Sequence, residues 1–202
     1  AFVHASVYDA FKTRLLAAVQ GLRVADPALE TTHMGPLVNR GHRDSVERYV
    51  QLGRDEGGRV LCGGARPQGG YYDQGSYFQP TVIEGLPNTA RMCREEIFGP
   101  VLALLPWSDE ADLIAQCNDN DYGLASGIWT RDYKAAWRIG RALQTGTVWV
   151  NTYKLFSVST PFGGVKLSGT GREKGRQGIL EYTTQKSFYW GMNDAPMPWT
   201  VS

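Results

Sequence analysis

Two adjacent carboxylates, Glu95 and Glu96, stand shortly before the apolar segment Val101–Trp107. Acidic side chains are rarely placed at the margin of a hydrophobic core unless a partner compensates their charge. A carboxylate here could accept hydrogen bonds from ribose hydroxyls, and the ring of Phe98 could pack against a flat ligand. A salt bridge at a helix end or a solvated turn explains the same residues without a ligand, so the spacing alone leaves both interpretations open.

The segment Phe162–Glu173 is dense in glycine and could contact phosphate. The interval from Gly164 to Gly169 has the spacing of a phosphate-binding loop, but Thr170-Gly171 follows where Lys and Ser or Thr are required. A dinucleotide-binding fingerprint that begins at Gly169 would place its third glycine at Lys174, so this motif also fails. The glycines instead predict a tight loop with positive φ, whose bare backbone could line a pocket.

A third candidate site follows the predicted strand 147–150. Asn151 comes directly after this strand, and the apolar side chains Leu155, Phe156 and Phe162 follow within a few residues. In α/β sheets, ligands bind beyond the carboxyl ends of the strands, so these residues could line an apolar pocket. Ordinary core packing accounts for them equally well.

Other chemistries find little support. The cysteines and histidines lie at positions that match neither a zinc site nor a redox pair, namely Cys62, Cys93, Cys117, His4, His33 and His42. No serine lies in a G-x-S-x-G elbow, which argues against a hydrolase triad. We therefore expect no metal site and three free thiols, as is typical of a reducing compartment.

Charge and hydropathy argue against a nucleic-acid-binding protein and against a membrane protein. The net charge is +1 and the basic residues are scattered, which argues against a nucleic-acid partner. No apolar run approaches the roughly 20 residues that cross a bilayer, and no signal sequence opens the chain. These features predict a cytoplasmic protein without membrane contact.

The elements that must position these residues alternate between strands and helices. Ser6 is predicted to cap a first helix and Ser108 a later one. Helices are also predicted at about 41–56, after Asp132 and at 177–182, and strands at 59–62, 78–83, 101–107, 123–129 and 147–150, with a β-prone segment at 186–190. This order predicts an α/β fold in which a mostly parallel, twisted sheet carries helices on both faces.

Taken together, the chain resembles the aldehyde dehydrogenase superfamily. The resemblance rests on segments spread along nearly the whole chain, in consistent order and spacing. They are Phe2-Val3, Met34 to Val38, Gly63-Gly64, Tyr77 to Val82, Glu95 to Pro100, Asn118 with Tyr122 to Ala125, Gly146 to Asn151, Pro161 to Gly164, and Ser168 to Glu173.

The resemblance implies an oxidoreductase that converts an aldehyde to a carboxylic acid with NAD or NADP. In this family a cysteine thiolate attacks the carbonyl to give a thiohemiacetal, and a glutamate later activates water. The resemblance assigns cofactor binding to Glu96 and Phe98, and substrate binding to Asn151, Leu155, Phe156 and Phe162. His42 lies near a family position that can touch the cofactor.

The resemblance also implies what this chain lacks. The nucleophilic cysteine would precede Ala1, and the nucleotide-binding half would lie further upstream, so no catalytic residue is expected in this chain. The first residue is not Met, which suggests the C-terminal catalytic-domain portion of a longer protein that is inactive alone. We expect residues 1–185 to form this portion, and 186–202 an oligomerisation strand and tail.

Several alternatives remain open. In the full-length protein the family assembles as homodimers or homotetramers, in which the C-terminal strand extends a partner's sheet. The same fold could instead serve as a non-catalytic oligomerisation or binding module. An aldehyde dehydrogenase that transfers the acyl group to coenzyme A is a further alternative.

Overall fold

A four-stranded sheet forms the centre of the first of two structural units. The computed structural model describes residues 1–192. The first unit comprises Ala1–Asp121 and Tyr133–Gln144, and the second comprises Tyr122–Asp132 and the chain from Thr145 onward. Within the described part of the chain, no helix is both long and apolar enough to cross a membrane.

The first unit contains four strands and five helices among its described residues. Its strands are β1 (Phe2–His4), β2 (Arg59–Cys62), β3 (Thr81–Glu84) and β4 (Val101–Trp107). Its helices are α1 (Tyr8–Gln20), α2 (Arg40–Asp55), α3 (Arg91–Arg94), α4 (Glu110–Asn118) and α5 (Tyr133–Ala142).

The sheet order is β1-β4-β3-β2. Strand β4 pairs in parallel with both β1 and β3, in a register that places Phe2 opposite Leu105 and Thr81 opposite Val101. Strand β2 runs antiparallel to β3 with an irregularity between Val60 and Cys62. The predicted α/β class with a parallel-dominated sheet is confirmed.

Helices cover both faces of this sheet because successive strand residues point to opposite sides. On one face Val82 and Leu104 pack against α1, through a group that includes Leu15 and Val19. The neighbouring residue Ile83 points to the other face, where α2 buries its apolar stripe. That stripe packs Val46 and Val50, both fully buried, against Phe78. The fully buried Val46 and Val50 make α2 a firm support for the loops at the ends of the strands, whereas α1 contributes only partly buried side chains.

The second unit is built around two short strand pairs. Strand β6 (Ala125–Ile128) pairs in parallel with β7 (Thr147–Val150). Strand β5 (Tyr122–Gly123) pairs antiparallel with β8 (Val165–Lys166). A short helix α6 (Gly175–Leu180) follows β8.

Two predicted helix caps are wrong. Ser6 lies in a 3-10 turn, where its hydroxyl bonds the imidazole of His4 at 2.7 Å, and α1 begins at Tyr8 without a side-chain cap. At the start of α4 the cap is Asp109, because its carboxylate accepts the Asp112 N–H at 2.8 Å. Ser108 lies one residue before this cap.

Three predicted strands differ in their bounds. Strand β3 begins at Thr81, because Pro80 has no N–H and the Thr81 N–H is the first to pair, with the Pro100 carbonyl. The segment predicted at 123–129 is interrupted at Leu124, which separates β5 from β6. The segment Lys186–Trp190 forms no strand with any of the residues that the structure describes.

A buried carboxylate ties the end of β3 to neighbouring elements. The side chain of Glu84 is 10% exposed and accepts hydrogen bonds from Tyr8 at 2.9 Å and Lys12 at 3.2 Å, and one from Arg59. Burial by itself would raise the pKa of Glu84, but these three donors together hold it below its ordinary value of 4.5. Burial, followed by the hydrogen bond to Glu84, raises the pKa of Tyr8 to about 12.

Replacing Glu84 with Gln is expected to lower the free energy of unfolding by about 1–3 kcal/mol at pH 7, because charge-assisted hydrogen bonds are lost. Since the folded pKa of Glu84 is depressed, its stabilisation is complete above its unfolded pKa and disappears as the pH falls through the folded pKa. Urea unfolding of Glu84→Gln at pH 7 and pH 3 measures this. Glu30→Gln, at an exposed position, is the control, and an equal effect of both variants would contradict the prediction.

Candidate functional site

A short helix positions the two adjacent glutamates. The carboxylate of Glu56, at the end of α2, accepts hydrogen bonds from the N–H groups of Arg91 at 2.9 Å and Met92 at 3.2 Å. These N–H groups open α3 and have no partner within the helix, so an anionic acceptor there stabilises its first turn. Helix α3 and the glutamates that follow it are therefore anchored to helix α2, which packs its apolar side against the core.

Glu95 is held on both oxygens. The hydroxyl of Tyr49 donates to Oε2 at 2.9 Å, and Nε of Arg91 donates to Oε1 at 2.6 Å. The hydrogen bond from Arg91, followed by that from Tyr49, lowers the pKa of Glu95. For Glu95, the interpretation of the motif as a helix-end salt bridge is therefore the correct one.

Glu96 has the opposite environment. The backbone of Glu95 is extended, with φ −90° and ψ 151°, so the side chains of the two glutamates are sent in different directions. Glu96 is exposed, and it forms no hydrogen bond or ion pair with any of the described residues. Its carboxylate is thus available to accept hydrogen bonds from a ligand.

Phe98 continues this loop in a strained conformation. Its φ of +52° lies in the left-handed region, which a bulky residue rarely adopts and which costs about 1–3 kcal/mol. The neighbouring Gly99 permits the turn, because a Cβ at that position would lie 2.5 Å from Val46. The result is a ring that is 78% exposed and faces away from the core.

A cavity of about 410 Å³ adjoins this loop within the first unit. Among its lining residues are Cys93, Glu96, Phe98 and Gly99. His42 lies beside the loop as well, with its ring centroid 6.1 Å from that of Phe98. Both ring nitrogens of His42 are buried and have no hydrogen-bond partner among the described residues.

In the second unit, the amide of Asn151 is used to join two loops. Its Oδ1 accepts the Thr130 N–H at 2.9 Å, and its Nδ2 donates to the Thr130 carbonyl at 2.9 Å. Asn151 has a φ of +54° and its N–H donates to Ile128, so the chain turns sharply at the end of β7. Its side chain therefore has a structural function at this position.

An aromatic cluster lies next to Asn151 in the same unit. It consists of Trp149, Tyr153, Phe156 and Phe162, with Phe156 and Phe162 edge to face at 5.0 Å and Trp149 5.4 Å from Phe156. The indole N–H of Trp149 donates to the Leu155 carbonyl at 2.8 Å, which fixes the segment after β7. Leu155 and Phe156 are 69% and 44% exposed, so the cluster presents an apolar surface.

The structure thus brings the sequence-predicted residues together in two groups. Glu96 and Phe98 share one loop of the first unit, whereas the predicted substrate residues share one segment of the second unit, namely Asn151, Leu155, Phe156 and Phe162. Sequence reasoning missed the residues that fix Glu95. The four-residue spacing of Arg91 and Glu95 was a usable signal for an ion pair, but Tyr49 and Glu56 are distant in sequence and gave none.

Two of the three cysteines, Cys93 and Cys117, are poor nucleophiles in this environment. Burial raises the pKa of the thiols of Cys93 and Cys117, so little thiolate forms at neutral pH. Cys62 is half-buried and, like the other two, is a free thiol. Among the described residues, no group of three His, Cys, Asp or Glu side chains is arranged to hold a metal ion.

Comparison with known proteins gives a consistent result. The profile described as "Aldehyde dehydrogenase family" matches residues 1–188. Betaine aldehyde dehydrogenases of Brucella anthropi and Cereibacter sphaeroides are 40% and 42% identical over 198 residues, or 98% of this chain. Those stretches are 41% and 40% of the relatives, so the chain spans about two fifths of their length.

Solved structures agree with the sequence comparison. The betaine aldehyde dehydrogenase of Staphylococcus aureus, solved in complex with NAD+, matches all of this chain and 40% of its own, with a TM-score of 0.93 and 33% identity. A mutant aldehyde dehydrogenase from Bacillus cereus matches 91% of this chain and 36% of its own, with a TM-score of 0.86 and 35% identity.

The two glutamates should differ in their effect on stability. Glu95→Gln removes the charge that Arg91 and Tyr49 contact, and we expect a lower thermal midpoint, by a few degrees. Glu96→Gln removes no contact within the described residues and should leave the midpoint unchanged. Differential scanning calorimetry of the protein that carries this chain compares the two variants, and a larger loss for Glu96→Gln would contradict the assignment.

The buried thiols should be slow to alkylate. Because burial raises the pKa of Cys93 and Cys117, iodoacetamide at pH 7 should modify them at least about tenfold more slowly than in the unfolded protein, and the rate should increase with pH. Peptide mass spectrometry measures each site. Alkylation of either thiol in the native protein as fast as in urea would show an accessible thiolate.

Proposed function

Because this chain belongs to the aldehyde dehydrogenase family, we propose that the protein that carries it oxidises an aldehyde to a carboxylic acid with NAD or NADP. In this proposal the chain contributes a site for the nicotinamide ribose and part of the aldehyde pocket. The observation that supports it most is the contrast between two adjacent carboxylates, one fully bound and one free. Binding of the cofactor used by this family would explain why the carboxylate of Glu96 has no partner among the described residues.

The first unit fits the nicotinamide end of the cofactor. Glu96 would accept hydrogen bonds from the ribose hydroxyls, and the exposed ring of Phe98 would pack against a flat face of the cofactor. The cavity of about 410 Å³ gives room for this group beside the loop. The cofactor, when bound, supplies the acceptor for the hydride that leaves the substrate. The NAD+ in the Staphylococcus aureus relative supports NAD for this chain.

The second unit fits the side chain of an aldehyde. Leu155, Phe156 and Phe162 would contact its apolar part, since their side chains form or adjoin the aromatic cluster. Asn151 would keep the segment after β7 in place, and its second amide hydrogen remains able to meet a polar group of the substrate.

The attacking thiolate is proposed to come from outside these 202 residues. The relatives are more than twice as long as this chain, and the raised pKa of Cys93 and Cys117 makes both unsuitable as nucleophiles. We therefore expect the 202-residue chain alone to oxidise no aldehyde. The three free cysteines are compatible with a protein of the cytoplasm, where thiols stay reduced.

The C-terminal segment is proposed to serve assembly. Phe188, Tyr189 and Trp190 are 76%, 94% and 74% exposed, and an extended segment of this kind can add a strand to a partner's sheet. Residues 186–202 would thus form the oligomerisation strand and tail of a homodimer or homotetramer, beside a catalytic portion at 1–185. Residues 193–202 of this proposal lie outside the described part of the chain.

Replacing Glu96 with Gln in the protein that carries this chain should raise the KM for NAD about tenfold, because charge-assisted hydrogen bonds to the ribose are weakened by ~1.4 kcal/mol. Absorbance of the reduced cofactor during aldehyde oxidation measures this. Glu30→Gln is a control with the same chemical change at an exposed position. An unchanged KM and kcat in Glu96→Gln would refute the role of Glu96, and a wild-type protein that oxidises no aldehyde would favour a non-catalytic module.

A further inference from the structure

Two lysines contact the aromatic cluster of the second unit. The ammonium of Lys174 lies 4.1 Å from the ring centroid of Phe156, and that of Lys154 lies 5.7 Å from that of Tyr153. The ammonium of neither lysine forms a hydrogen bond or an ion pair with the described residues. Lysines are usually solvated or paired with carboxylates, whereas these two keep their positive charge beside an exposed apolar surface.

The backbone fixes the position of Lys174. On one side, Glu173 and Phe162 exchange two hydrogen bonds, of 2.7 and 2.8 Å. On the other side, the Gly175 N–H donates to the Val158 carbonyl at 2.9 Å. Between these anchors Lys174 adopts a φ of +62°, which is unusual for a lysine. Its direction toward Phe156 is therefore set by the fold as well as by side-chain preference.

Lys154 is placed in a similar way. Its φ is +56°, and the next residue is held by the bond from the Trp149 indole to the Leu155 carbonyl. Two left-handed lysines thus flank the exposed part of one aromatic cluster.

Nearby acidic residues do not neutralise these charges. The side chain of Glu173 is exposed and makes no ion pair within the described residues, and its backbone alone bonds Phe162. Glu181 is directed to another contact, where it accepts the Arg172 N–H at 3.3 Å. The ammonium of Lys174 therefore has no carboxylate partner beside Phe156 among the described residues.

We infer that the substrate is an aldehyde that carries a negatively charged group, such as a carboxylate, and that Lys174 and Lys154 attract this group. The inference rests on the proposed function and specifies its substrate class. An aldehyde with an apolar chain and a terminal carboxylate would match both the aromatic surface and the adjoining charges. Lys174 is thus a specificity residue.

The same geometry disfavours a cationic aldehyde. Aromatic rings can bind a quaternary ammonium through cation–π contacts. Here the ammonium of Lys174 already occupies a face of Phe156, and it would repel a second cation. Betaine aldehyde, the substrate in the names of the relatives, carries such a quaternary ammonium, so the substrate is expected to differ from theirs.

The test compares three aldehydes of different charge in the protein that carries this chain. They are 4-oxobutanoate, butanal and betaine aldehyde, and the readouts are kcat/KM with NAD and the Kd from calorimetric titration. We expect 4-oxobutanoate to be preferred, and Lys174→Met to lower its kcat/KM about tenfold while changing that of butanal by less than about twofold. The preference should weaken as salt concentration rises.

A matched control uses a nearby positive charge. Arg176→Met removes a positive charge from an exposed side chain that has no contact with the aromatic cluster. This variant should leave the preference for 4-oxobutanoate unchanged. Preference for betaine aldehyde, or an equal effect of Lys174→Met on all three substrates, would overturn the inference. If no aldehyde is oxidised, the proposed function is wrong. The Kd values from calorimetric titration still show whether 4-oxobutanoate binds more tightly than the other two aldehydes and whether this binding depends on Lys174.

Discussion

The two hydrogen bonds that hold Glu95 are the constraint on which the first site depends. Tyr49 comes from helix α2 and Arg91 from α3, so both oxygens of Glu95 are bound to helices that pack against the core. With Glu95 fixed in an extended conformation, Glu96 is directed away from these donors. The strained turn at Phe98 then exposes an aromatic ring beside the free carboxylate.

Pairing distinguishes the structural polar groups near the two sites from the groups that we propose to bind ligands. Glu84 and Glu95 have several donors each, and Asn151 bonds both main-chain groups of Thr130. The side chains of Glu96 and Lys174 are charged and have no hydrogen-bonding partner among the described residues. Because leaving a polar group unpaired forfeits stabilising interactions, such positions are expected where a ligand completes the site.

Family membership depends on similarity along the whole chain, whereas the charge of the substrate depends on a few side chains. Family membership follows from the match over residues 1–188 and from relatives that are about 40% identical to the chain. In our proposal, the charge of the preferred substrate depends on Lys174 and Lys154 beside the aromatic cluster, because one fold can serve different substrates. The substrate of a relative is therefore a less reliable guide to this chain than the fold of that relative. Lys174 is the residue that leads us to expect a different substrate.

The sequence by itself determined the alternation of strands and helices, the position of β4 and β7, and the family, because hydrophobic periodicity and motif spacing are local properties of the chain. It also named Glu96, Phe98 and the aromatic residues after β7, although only through the resemblance. Tertiary structure alone decided which of two adjacent glutamates is free, that Asn151 bonds Thr130, and that Lys174 lies on Phe156. These contacts join residues far apart in sequence or depend on left-handed backbone angles, and neither follows from residue type.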